Sequence, residues 1–173
     1  MTFGGRQLAD GFRTVRKNTI QVAEDIPAEQ YGYKATPDVM SVSEMLAHIA
    51  AQTWWPLELH KIDHLSHVDF ERFMGYMKKT EEIAAGLTSK AQIVDALRAE
   101  GETFAAWLES LDRATLNETV SFPPPVQPQT KTRFEMLLSI KEHEMHHRAQ
   151  LMLIERLLGI VPHLTRNRQA AVR

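Results

Sequence analysis

Apolar side chains return every three to four positions along four long stretches of this chain, a periodicity that selects helices packed against helices. The first stretch runs roughly from Leu8 to Ala23, with Leu8, Phe12, Val15, Thr19 and Val22 on one stripe. Ile26-Pro27 closes it, because proline disfavours helix in the residue before it. The second starts at Ser41, where Ser41-Val42-Ser43-Glu44 fits a capping box. Its inner face should carry Met45, His48, Ile49, Trp55 and Leu59, with a kink or break at Pro56. The third starts near Ser89, reciprocally capped by Gln92, and stripes Ile93, Leu97, Phe104, Leu108 and Leu111. The fourth starts near Thr132 with Glu135 and runs to Leu158, where Gly159 supplies a left-handed stop and Pro162 blocks continuation.

Little else in the chain is patterned. Asp69 to Lys79 reads as a short helical or irregular stretch, and Thr119 to Phe122 as one short extended segment. Phe122 to Gln129 is a proline-rich loop, and Thr165 to Arg173 a polar tail. The expectation is an all-α four-helix bundle forming a single domain over residues 1–173.

Within the fourth stretch lies His143-Glu144-Met145-His146-His147. Four residues of helix bring His143 and His147 onto one face, about 6 Å apart along the axis. That face is otherwise apolar, with Met136 and Ile140 before the pair and Leu151, Ile154 and Leu158 after it. Two inward imidazoles need hydrogen-bond partners or a metal ion. His48 falls on the inner stripe of the second stretch and is the candidate third ligand. Three histidines from two helices would leave an open position on the ion, as a catalytic site requires. His146 lies about 100° around the helix from His147 and reads as a surface residue. Gln150, Gln52 and Trp55 are candidates for supporting the ligands or lining a pocket. A rival set, His60, His64 and His67, has helical spacing but polar surroundings in Lys61, Asp63, Ser66 and Asp69, and reads as mostly solvated.

The letters His-Glu-x-x-His also fit a zinc protease helix, but Glu155 follows His147 too closely to be its third ligand, and no strand-rich half is present. No glycine-rich phosphate loop occurs. The formal charge of -2, with 20 basic against 22 acidic residues, gives no basic stripe for nucleic acid. No apolar run approaches the length of a membrane span, and no secretory leader is evident, so the reading is cytoplasmic with no membrane partner. The chain has no cysteine, so any sulfur nucleophile must arrive with a cofactor.

Ser41-Val42-Ser43-Glu44-Met45-Leu46-Ala47-His48, paired with His143-x-x-x-His147-Arg148-Ala149-Gln150-Leu151 and the tail Leu157 to Pro162, resembles the DinB/YfiT-like superfamily. The resemblance covers nearly the whole chain; Ala149 stands where that family commonly has glycine. It implies an up-down-down-up four-helix bundle whose metal ligands are His48, His143 and His147. It also implies a metal-dependent transfer or isomerisation using a low-molecular-weight thiol of the bacillithiol, mycothiol or glutathione type. The expected function is therefore a thiol S-transferase acting on an electrophilic small molecule, with Trp54, Trp55 and Phe104 as candidate walls of the electrophile's pocket. Zinc or nickel heads the candidate metals and iron follows, since neutral imidazole suits them all. A homodimer is expected. Two other readings use the same residues. One is a metal-water hydrolase or lyase with Glu142 or Glu144 as base; the other is a non-enzymatic stress protein that metal merely stabilises.

Overall fold

Side-chain caps decide where most of the longer helices of this computed structural model begin; it describes residues 3–171. Helix α1 spans Gly5–Asp25, α2 Val42–Ala51, α3 Trp54–Leu57, α4 Phe70–Ala85, α5 Lys90–Glu109, α6 Arg113–Asn117, α7 Arg133–Leu157 and α8 His163–Ala171. The three capping boxes read from the sequence are formed: Ser41 with Glu44, Ser89 with Gln92, and Thr132 with Glu135. Each reciprocal pair satisfies backbone N–H groups that a helix start leaves without partners. Gly159 adopts φ 79 after α7, a conformation that favours glycine.

The chain is mostly helical. Helix α1 lies along α5 and α7, while α2 packs against α4 and α5 and also meets α7. The core has two parts. Leu8, Phe12, Trp55, Leu59, Phe104, Leu108, Met136 and Ile140 fill one. Val22, Ile26, Met45, Leu46, Ile49, Ile93, Leu97, Leu151 and Ile154 fill the other.

Three segments depart from the sequence reading. Asp69 to Lys79 is helical rather than irregular, and longer than expected: it opens α4, a helix of 16 residues capped by the Asp69 side chain. Tyr76 and Thr80 alone are fully buried on α4, so its apolar stripe is too narrow to stand out. The polar tail is helical through α8, anchored by the buried His163, whose Nε2 lies 3.1 Å from Asn18 Oδ1. The second stretch breaks at Gln52 and Thr53, before Pro56, then resumes as α3 and a wide π-helical turn over Glu58–Ile62.

The extended segment is strand β1, Thr119–Ser121, antiparallel to β2, Thr130–Thr132. Its outer edge is stitched to the chain before α4: Ser121 N donates to Ser66 O, and Val68 N to Ser121 O, both at 2.9 Å. Among the described residues no helix is long and apolar enough to cross a membrane.

Candidate metal centre

The capping boxes of α2 and α7 fix the axial position of each helix, and thereby of the histidines on it. His48 projects from the last turns of α2; His143 and His147 project from the middle of α7. Their rings meet, with centroids 5.0 Å apart for His48 and His143, 5.0 Å for His48 and His147, and 4.5 Å for His143 and His147. One nitrogen from each ring lies within 4.8 Å of the other two. Among the described residues this is the one group of three or more histidine or acidic side chains so placed.

The donor set fits a divalent ion. Bonds of 2.0–2.1 Å at tetrahedral angles place two imidazole nitrogens roughly 3.3 Å apart. His48 Nε2 and His143 Nε2 are 2.8 Å apart, so a small parting of the rings suffices. Burial pushes all three imidazoles below the usual histidine range. For His143 the value falls to about 4, with His147 and His48 adding to the burial effect. Neutral rings present the lone pairs that ligation needs.

Supporting contacts orient the rings. His147 Nδ1 lies 2.9 Å from Gln150 Oε1, one turn on; the ring N–H donates there and leaves Nε2 to face its neighbours. Gln52 is half-buried at the end of α2, and its backbone N–H donates to His48 O at 3.1 Å. His146 is exposed.

Sequence reasoning passed over Arg16. Arg16 is 4% exposed, and its guanidinium faces the likewise buried Glu144, with Nε 3.1 and 3.0 Å from the two carboxylate oxygens. It also donates to Leu97 O at 3.0 Å and Ile49 O at 3.3 Å. One side chain of α1 thus holds α2, α5 and α7, touching the residues directly after His48 and His143. A signal was available: Arg16 lies four residues after Phe12 and three before Thr19, on the buried stripe of α1. This pairing also consumes Glu144, which is therefore no free base, while Glu142 is exposed.

The histidines at 60, 64 and 67 do not converge: His64 and His67 are exposed, as the solvated reading expects, whereas His60 is buried and corrects it. His60 is 2% exposed; Arg133 Nη1 donates to its Nδ1 at 2.9 Å, and burial beside that cation lowers its value to about 3. His64 Nε2 is 2.8 Å from Glu118, and His67 Nδ1 is 2.9 Å from Ser121 Oγ. They fasten residues 60–67 to α7 and β1.

The aromatic candidates separate as well. Phe104 is fully buried against Phe12, and Trp54 meets Tyr76 edge to face. Trp55 lines an apolar cavity of about 210 Å³ with Val68, Phe73, Phe122, Val126, Met136 and others.

No curated protein sequence matches this chain. Among solved structures, a DinB-like protein from Bacillus subtilis, YjoA, shares the fold at 22% identity and a TM-score of 0.65, covering 88% of this chain and 92% of its own. Residues 12–151 match the DinB superfamily, a span that includes all three converging histidines. The chain belongs to the DinB superfamily.

Proposed function

We propose that the protein is a metal-dependent transferase that activates a low-molecular-weight thiol for attack on an electrophilic small molecule. The observation that carries this reading is the convergence of three neutral imidazoles, from two helices, in a chain without cysteine. His48, His143 and His147 are the proposed ligands, with zinc or nickel first and iron next. A bound divalent ion would supply a positive charge that favours thiolate over thiol. The protein's own groups have three tasks. Gln150 fixes the tautomer of His147, the Arg16–Glu144 pair fixes the separation of the helices, and the apolar walls beside α7 exclude water. In the reaction a sulfur–carbon bond forms, the leaving group departs with its electron pair, and the thiol proton passes to solvent.

The same reading takes residues 1–173 as one domain, an up-down-down-up four-helix bundle that works as a cytoplasmic homodimer. Light scattering at micromolar concentration tests the dimer. The function is tested by loading the protein with zinc or nickel and following conjugation of an electrophile by bacillithiol, mycothiol or glutathione. Turnover should appear with one thiol and vanish in His147→Ala. Equal rates in both proteins would reject it.

A further inference from the structure

The cavity beside Trp55 has its own chemistry. Its walls come from α3, the start of α4, the loop after β1, and the first turns of α7: Trp55, Phe70, Phe73, Phe122, Val126 and Met136 are prominent. Its polar contributors are largely committed elsewhere. Ser139 Oγ donates to Met136 O at 2.6 Å, and Asp69 accepts from Arg72 N to cap α4. Lys131 and Asp69 both reach the lining and offset each other in charge. The space therefore favours an uncharged, apolar occupant.

Its position ties it to the histidines. Ser139 precedes His143 by four residues on α7, one turn on the same face, or about 6 Å along the axis. Met136 lies a further turn away. On the opposite side Trp55 follows His48 by seven residues. The three imidazoles do not line the cavity, but its Ser139 wall stands one helical turn from His143. The volume of about 210 Å³ falls below the roughly 300–1,000 Å³ of pockets that enclose whole drug-sized ligands. It suits one ring or a branched alkyl group, with the remainder of the substrate outside.

We propose that this cavity is the recognition pocket for the apolar end of the electrophile, an uncharged aromatic ring or an alkyl group of similar bulk. The inference rests on the transferase reading for its role, yet binding to the pocket can be measured without turnover. Benzyl alcohol serves as an unreactive aromatic probe and glycerol as its polar counterpart, each titrated into 15N-labelled protein without added thiol. Benzyl alcohol should give saturable shifts at the Trp55 indole and the Phe73, Val126 and Ser139 amides, and glycerol none. Filling the space from two sides, by Ser139→Phe and separately by Val126→Trp, should weaken benzyl alcohol at least tenfold in each variant that keeps the wild-type melting temperature. Absence of saturable shifts in the wild type, or binding that survives both fillings, would overturn the proposal. If conjugation fails while the probe binds as expected, the transferase reading falls, and with it the pocket's role, while its selectivity for an uncharged apolar ligand stands. If conjugation succeeds but the filled variants keep the wild-type ratio of aryl-halide to iodoacetamide rates, the pocket proposal falls alone.

Discussion

Replacing Arg16 with Met should be among the costliest single changes in this chain. The substitution keeps most of the aliphatic stem, which packs against Gly101 so closely that a Cβ there would stand 2.9 Å from Arg16 Cγ. What it removes is the charge. Glu144, 2% exposed, would be left as an unpaired carboxylate, and the carbonyls of Leu97 and Ile49 would lose a donor. Stripping one partner from a buried ion pair costs about 3–5 kcal/mol, far more than the net value of the intact pair, because the remaining charge stays desolvated. For a domain of this size that corresponds to a fall of about 6–20 °C in melting temperature. The combination Arg16→Met with Glu144→Leu buries no charge and should recover more than half of the loss. Urea unfolding followed by circular dichroism, run as a double-mutant cycle, measures both quantities. Since Ile49 and Glu144 directly follow His48 and His143, divalent metal affinity should also fall about tenfold in the single variant. A cost below about 1 kcal/mol for Arg16→Met, or no recovery in the double variant, would refute this account of the tether.

Three further outcomes are expected. Glu155 is fully buried with neither carboxylate oxygen paired, and burial, reinforced by Asp25, pushes it up to about 7 against an ordinary 4.5. Its folded value is raised, so its favourable contribution is complete below about pH 4.5 and is lost as pH rises through about 7. Glu155→Gln should match wild type at pH 4 and exceed it by on the order of 2 kcal/mol at pH 8 in denaturant titrations; an unchanged difference across that range would contradict the assignment. Gly5→Ala should destabilise by at least 1 kcal/mol in thermal melts, because the added Cβ would collide with the backbone carbonyls of Leu108 and Leu111. Elemental analysis should find one divalent ion per wild-type chain and none in His143→Ala, while Gln150→Ala should bind the ion about 10–100-fold more weakly in chelator competition.

The helix starts at Ser41, Ser89 and Thr132 were legible because a capping box is local, its chemistry spanning four consecutive residues. The pairing of His143 with His147 was legible for the same reason. Helix α4 was not, since it buries little beyond Tyr76 and Thr80 and its remaining residues carry no strong stripe. The character of His60 was hidden by distance: its partner Arg133 lies 73 residues away, and polar neighbours in sequence say nothing about that contact. Arg16 escaped for a related reason. A lone arginine on an apolar stripe looks like an interruption until the facing Glu144 is known, and that facing is a property of the packed helices.

The strip of backbone hydrogen bonds joining Ser66, Val68 and Ser121 has a consequence for how such a protein can diversify. It joins residues 66–68 to β1, and the rim formed by residues 66–73 and the prolines at 123–125 belongs to neither of the two helices that carry the imidazoles. Surface loops tolerate replacement and lengthening far better than packed helices do. On the proposed transferase reading, exchanging residues 123–128 should therefore redirect which molecules are admitted while the imidazole cluster keeps its spacing, leaving selectivity and reactivity free to vary independently.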